Sequence, residues 1–272
     1  HRVGLQPMTP DLLANEEIVT ELDISHLVIE DDSPVDNFQS AQQQRLLVEA
    51  LYSSRALTMP FLAEANVGLF YKLKGEPIVP DMLLSLGVQR AEDFSQRQNR
   101  SYFVWEFGKA PEVCVEIVSN QEGDELRLSK KSRQKGKTVS KQEIYAQIGV
   151  RFYVVFDPLQ QIQSQDEMAS ALLRVWSISP DGYTELTSPQ GITTTGQVVW
   201  LNAIGLGLTL WEGEFEEDVT RLWLRWCDRD GQVISTGAER ANDAESKAQA
   251  AELKAQRLAE RLRAIGINPD EV

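Results

Sequence analysis

Histidine and cysteine are scarce in this chain, with two of each among 272 residues. His1, His26, Cys114 and Cys227 cannot assemble a convincing zinc site, so metal chemistry here has to be carboxylate chemistry. Both cysteines lie in apolar contexts and predict buried thiols in a reducing compartment. Long apolar runs are missing too: no window approaches the roughly 20 residues that span a bilayer. The early residues Glu16, Glu17, Glu21 and Asp23 lack the charged-then-apolar pattern of a secretory signal, and the expectation is a cytoplasmic protein with no membrane segment. Positive charge is in deficit. Lysine and arginine total 27 against 41 acids, a net charge of −14, which repels a phosphate backbone at long range and argues against a general coating of nucleic acid. A local basic site remains open.

Hydrophobic content of 42% suits a packed core, and the length suits one large domain or two small ones. Residues 1–36 are polar, with Pro7, Pro10 and Pro34, and predict an extended arm or short helical pieces. Apolar spacing predicts an amphipathic helix over roughly 37–54, with Asn37 or Asp36 as N-cap. Strand patterns follow at Phe61–Ala65, Val67–Leu73, Ile78–Leu86 and Arg100–Phe107. Val113–Val118 is the most β-like run. A helix over 140–148 stopping at Gly149, then a strand over Arg151–Phe156, predicts a βαβ crossover between parallel strands. Further strands are expected at 172–178, 183–187, 197–201 and 206–211. Residues 216–226 read as helix or strand. The fold class is α/β, with its main domain over 37–236.

The segment 237–272 is different in kind. From Ala238 to Ile265 neither Pro nor Gly occurs, and Ala241, Ala248, Ala255, Leu262 and Ala244, Ala251, Leu258, Ile265 each repeat at seven. This is a coiled-coil-like heptad seam over four repeats. It serves either a homodimer or packing on the chain's own domain.

Glu116 carries the chemical argument. It interrupts a strand that is apolar on both faces, where an uncompensated carboxylate costs several kcal/mol (an order-of-magnitude figure). A divalent ion or a buried Arg or Lys are the two compensations. Asp81, on a neighbouring strand segment, offers a second hard oxygen ligand. Two carboxylates holding such an ion can activate water against a phosphodiester if a cation meets the phosphate. Lys141 opens the following helix, with Tyr145 one turn on along the same face. Between Glu116 and Lys141 runs the basic cluster that includes Arg127, Lys130, Lys131 and Arg133. It reads as a solvated loop or as a phosphate-contacting one.

At these residues the chain resembles the Uma-type restriction-endonuclease family, a branch of the PD-(D/E)XK nuclease superfamily. The likeness is carried by Val79-Pro80-Asp81, Ser101–Glu106, Pro111 through Ser119, Tyr145–Val150 and Tyr153–Pro158, and extends to the Ala/Glu/Arg tail. It implies a restriction-endonuclease-like core: a mixed sheet flanked by helices, with a long C-terminal helix. It also implies Asp81 and Glu116 as magnesium or manganese ligands and a catalytic lysine moved onto the helix, Lys141, or else Lys130 or Lys131. Glu125 and Tyr145 would support them, and DNA would be the substrate. The superfamily's Glu-x-Lys is absent, since position 118 is Val118, which could offer an ion only its backbone carbonyl. Two functions follow: a metal-dependent endonuclease, or a catalytically inactive nuclease fold acting as an interaction or regulatory protein through its helical tail.

Overall fold

A computed structural model describes residues 22–27, 37–121, 139–163 and 167–269. In chain order these form α1 (Phe38–Ser53), β1 (Phe61–Ala65), β2 (Leu69–Phe70), β3 (Met82–Leu86), β4 (Tyr102–Phe103), the single turn α2 (Val104–Phe107) and β5 (Val113–Ile117). Then come α3 (Lys141–Ile148), β6 (Phe152–Phe156), β7 (Leu173–Ser179), β8 (Gly182–Glu185), β9 (Val198–Leu201), β10 (Leu206–Phe215), β11 (Glu217–Cys227) and α4 (Gly237–Ala264). The main sheet has the order β1-β3-β5-β6-β7-β8. It is mixed: β5 and β6 run parallel, and their neighbours are antiparallel.

The expected crossover is present. Ser140 caps α3 through a capping box with Glu143, satisfying two backbone donors reciprocally. Gly149 ends the helix at φ 89°, a left-handed conformation that a Cβ disfavours. Gly149→Ala should therefore cost about 1–2 kcal/mol, seen as a lower urea midpoint at unchanged slope.

Side-chain alternation along β5 divides the core. Val113, Val115 and Ile117 face a large cluster shared with Leu47 and Leu51 of α1 and with Leu208 and Trp226 of the second sheet. Cys114 and Val118 face the opposite cluster with Ile144 and Tyr145 of α3. The second sheet, β11-β10-β9, is dominated by the β10–β11 hairpin, which turns at Glu216 with φ 63°. At its outer strand, the fully buried Gln43 of α1 donates to the Leu224 carbonyl (2.8 Å) and accepts from the Leu224 N–H (2.9 Å).

Two expectations are corrected. Arg100–Phe107 is not one strand: after β4 the chain winds into α2 and stops at Gly108, letting the Phe107 ring stack back on Tyr102 at 4.4 Å. Val67–Leu73 shortens to β2, paired in parallel with β4. In the N-terminal arm, Ile24 and Leu27 are buried against Phe70 and Phe103, so this part packs rather than extends. Asn37 is the N-cap of α1, accepting from the Ser40 N–H, while Asp36 lies outside the described residues. Both cysteines are free and buried, as expected.

α4 is fastened to the body at its start. Thr236 and Glu239 form a capping box, and Glu239 receives both guanidinium arms of Arg225 (2.7 and 2.8 Å). Gly237 N–H donates to Glu49, and Arg240 donates to the Ser53 carbonyl. From Ala241 to Leu258 every residue is exposed, so the heptad seam does not lie on the body of the molecule. Among the described residues no helix is long and apolar enough to cross a membrane.

Candidate active site

Antiparallel pairing sets Met82 opposite Val115, and one further step in the same register puts Asp81 opposite Glu116. Glu116 lies on the face covered by α3, while Asp81 stands just before β3, at the strand end where α1 reaches it. Glu116 is 1% exposed, in the middle of a sheet with both neighbours present. Its Oε2 accepts from Lys141 Nζ at 2.7 Å, and its Oε1 accepts from the Tyr145 hydroxyl at 2.5 Å. Lys141 is the first residue of α3 and Tyr145 the fifth, one turn along, so one helix face delivers both donors. Of the two compensations open to Glu116, a cation is present, the partly buried Lys141, and it is the same lysine that the sequence offers for catalysis.

Asp81 is held differently. Its Oδ2 accepts from the Ile117 N–H at 2.5 Å and its Oδ1 from Gln44 Nε2 at 3.3 Å. Gln44 in turn accepts from Asn66 Nδ2 at 3.0 Å. Gln44 and Asn66 escaped the sequence reading. A signal existed: Gln43 and Gln44 sit at helical spacing from Leu47 and Leu51, so the apolar stripe of α1 contains amides that must find buried partners.

Burial, reinforced by the Glu116 charge, pushes the Tyr145 hydroxyl well above its ordinary value of 10.0. Tyr145 therefore stays protonated and donates. The same two causes raise the Cys114 thiol, which makes it an inert core side chain rather than a nucleophile. A raised phenol pKa contributes stability that is present below about pH 10 and lost as pH rises through the folded value. Tyr145→Phe should cost about 1.5–3 kcal/mol, the range for hydrogen bonds to charged groups, with a loss that is flat from pH 6 to 9 in denaturant titrations.

The structure thus joins Glu116, Lys141 and Tyr145 by hydrogen bonds and holds Asp81 on the backbone N–H of Ile117, the residue after Glu116. Glu125, Arg127, Lys130, Lys131 and Arg133 lie outside the described residues. Among those described, no group of three or more His, Cys, Asp or Glu gathers as a metal cage. Magnesium does not require one: it keeps several waters and takes one or two carboxylates beside substrate phosphate. The carboxylates of Asp81 and Glu116 are oxygen donors of the kind such an ion takes. Asp157, also buried, has a local task, accepting from the N–H groups of Gln161 and Ile162 to close the turn after β6. A cleft of about 390 Å³ beside β1, lined by Arg90, Phe94, Arg100 and Tyr102 among others, is separate from this cluster.

A family model described as "Uma2: Putative restriction endonuclease" matches residues 11–164. The chain belongs to the Uma2 family. The match runs through α1, β3, β5, α3 and β6, and so contains Asp81, Glu116, Lys141 and Tyr145; the β10–β11 hairpin and α4 lie beyond it. No curated protein matches the chain.

Proposed function

We propose that this Uma2 protein is a magnesium- or manganese-dependent endonuclease that hydrolyses DNA phosphodiester bonds. The observation that carries the reading is the buried Glu116 carboxylate, in a central strand opposite Asp81, held by a lysine at the mouth of α3. Asp81 and Glu116 are the metal ligands. A bound divalent ion would supply Lewis-acid polarisation of the phosphate and a more acidic attacking water. The protein's own groups do the positioning. Gln44 and the Ile117 N–H fix Asp81, while the protonated Tyr145 fixes Glu116. Lys141, 18% exposed at its side chain, turns from Glu116 to a phosphate oxygen or the attacking water. Glu125 supports the site. Arg127, Lys130, Lys131 and Arg133 contact the DNA backbone, a local attraction within an acidic chain.

A second reading, a catalytically inactive nuclease fold that acts through its tail, draws on the internal neutralisation of Glu116 by Lys141 and on the exposed α4. One experiment separates the two. Magnesium should raise the melting temperature of the wild type by mass action and support nicking of supercoiled plasmid. Asp81→Asn should lose both effects while remaining folded, since the amide can still accept from Ile117. Wild-type protein that neither responds to magnesium nor cuts DNA rejects the endonuclease reading and leaves the scaffold.

A further inference from the structure

The exposed seam of α4 is flanked by two columns of opposite charge. Take the heptad positions a at Ala241 and d at Ala244. The e positions then hold Glu245 and Glu252, followed by the neutral Ala259. The g positions hold Arg240, Lys247, Lys254 and Arg261. One edge of the seam is acidic up to Glu252 and carries no base, and the other is basic throughout.

We propose that α4 docks on a second copy of this chain as a parallel, in-register, two-stranded coiled coil. The charge columns decide both the occupant and the direction. In a parallel pair each g side chain meets the e side chain five residues on in its partner. Arg240 then meets Glu245, and Lys247 meets Glu252, each pair occurring twice by symmetry. An antiparallel pair would set g against g and e against e: base faces base along one edge, and the other edge has no base to meet its glutamates. An acidic or basic foreign partner would satisfy one edge and repel the other. The helix is complementary to itself in one orientation alone.

The apolar content of the seam grows towards its end, where Leu258 is 54% and Ile265 71% exposed. The alanines before them bury little area, so the pairing is weak, expected in the micromolar range. Lys247 reaches Asp243 within its own helix at 2.6 Å. That exposed pair is worth little and leaves the ammonium able to swing to a partner helix. Both copies of the body, fastened at Thr236–Arg240, would stand at the same end of the paired helices. The proposal does not depend on the nuclease reading, because no site residue lies on α4.

Sedimentation equilibrium of the full chain should show a reversible dimer. Lys247→Glu should weaken it by roughly tenfold, since two attractive pairs become repulsive. Glu252→Lys should do the same, and an equimolar mixture of the two variants should recover wild-type affinity as a heterodimer. Ala244→Cys and Ala251→Cys should each form an interchain disulfide on mild oxidation, the native cysteines being buried. An antiparallel pair can bring only one position opposite itself, so cross-linking of just one variant overturns the direction. A wild-type monomer up to about 100 µM overturns the proposal. So does a dimer indifferent to Leu258→Glu, which would place the interface on another face.

Discussion

Lys141→Ala should abolish most DNA cleavage while making the apo protein less stable and its response to magnesium larger. Removing one preorganised donor from a developing phosphoryl charge lowers turnover by about 10²–10³-fold. The stability effect comes from Glu116. Glu116 is 1% exposed, and removing one member of a buried pair costs about 3–5 kcal/mol. An added divalent ion then meets a site no longer occupied by the ammonium, so its stabilisation should exceed that of the wild type. Lys141→Met preserves the stem and tests the charge alone. Plasmid nicking and thermal melts with and without magnesium read all three effects. A variant that cuts normally, or whose melt ignores magnesium, would sink the assignment of Lys141 and the metal pair together.

Arg225→Met should give the largest loss of stability outside the site, about 2–4 kcal/mol, discounted because its partner Glu239 is 35% exposed. Arg225 is 1% exposed, donates to both oxygens of Glu239 and to the Ile234 carbonyl, and stacks on Trp211 with its guanidinium 4.4 Å from the ring centroid. The contribution has a pH signature. Burial alone would raise the Glu239 carboxyl, but hydrogen bonds from Arg225 and the Thr236 N–H outweigh it and hold the group below its ordinary 4.5. A depressed carboxyl stabilises above the unfolded value and loses that stabilisation as pH falls through the folded one. Wild type and variant should therefore converge in stability below about pH 4.5. Curves that stay parallel down to pH 3 would show that the pair contributes through packing alone.

The centre of the fold was legible because its local signals agree. The run Val113–Val118, the Ser140-to-Glu143 cap and the Gly149 stop all specify the same strand, helix and stop, and β6 follows at once. The contacts of Glu116 with Lys141 and Tyr145 were legible for a related reason: a carboxylate in an apolar strand demands a partner, and helical spacing put both donors on one face. The β10–β11 hairpin was harder. The first half of β11, Glu217 to Thr220, is exposed at every position and has no apolar alternation, so its strand state depends on pairing with β10 across Gly213–Arg221 and Glu214–Thr220 and on contacts such as Phe215 against Trp223. Phe107 stacking on Tyr102 is likewise a tertiary contact that no local propensity announces. The amides holding Asp81 are visible in the sequence only as misplaced glutamines, and their target comes from a loop 37 residues away.

The Gln43 amide also bears on how the molecule behaves in a crowded solution. β11 is an outer strand of its sheet, and a bare outer strand is a template for pairing with a stranger's backbone. By occupying both the N–H and the carbonyl of Leu224, Gln43 acts as a one-residue stub of a fourth strand. An intruding segment would have to expel that buried amide before it could zip along the edge. The Trp226 indole, donating to the Leu47 carbonyl, fastens the same helix over the same border. α1 thus serves as a guard against strand-exchange aggregation.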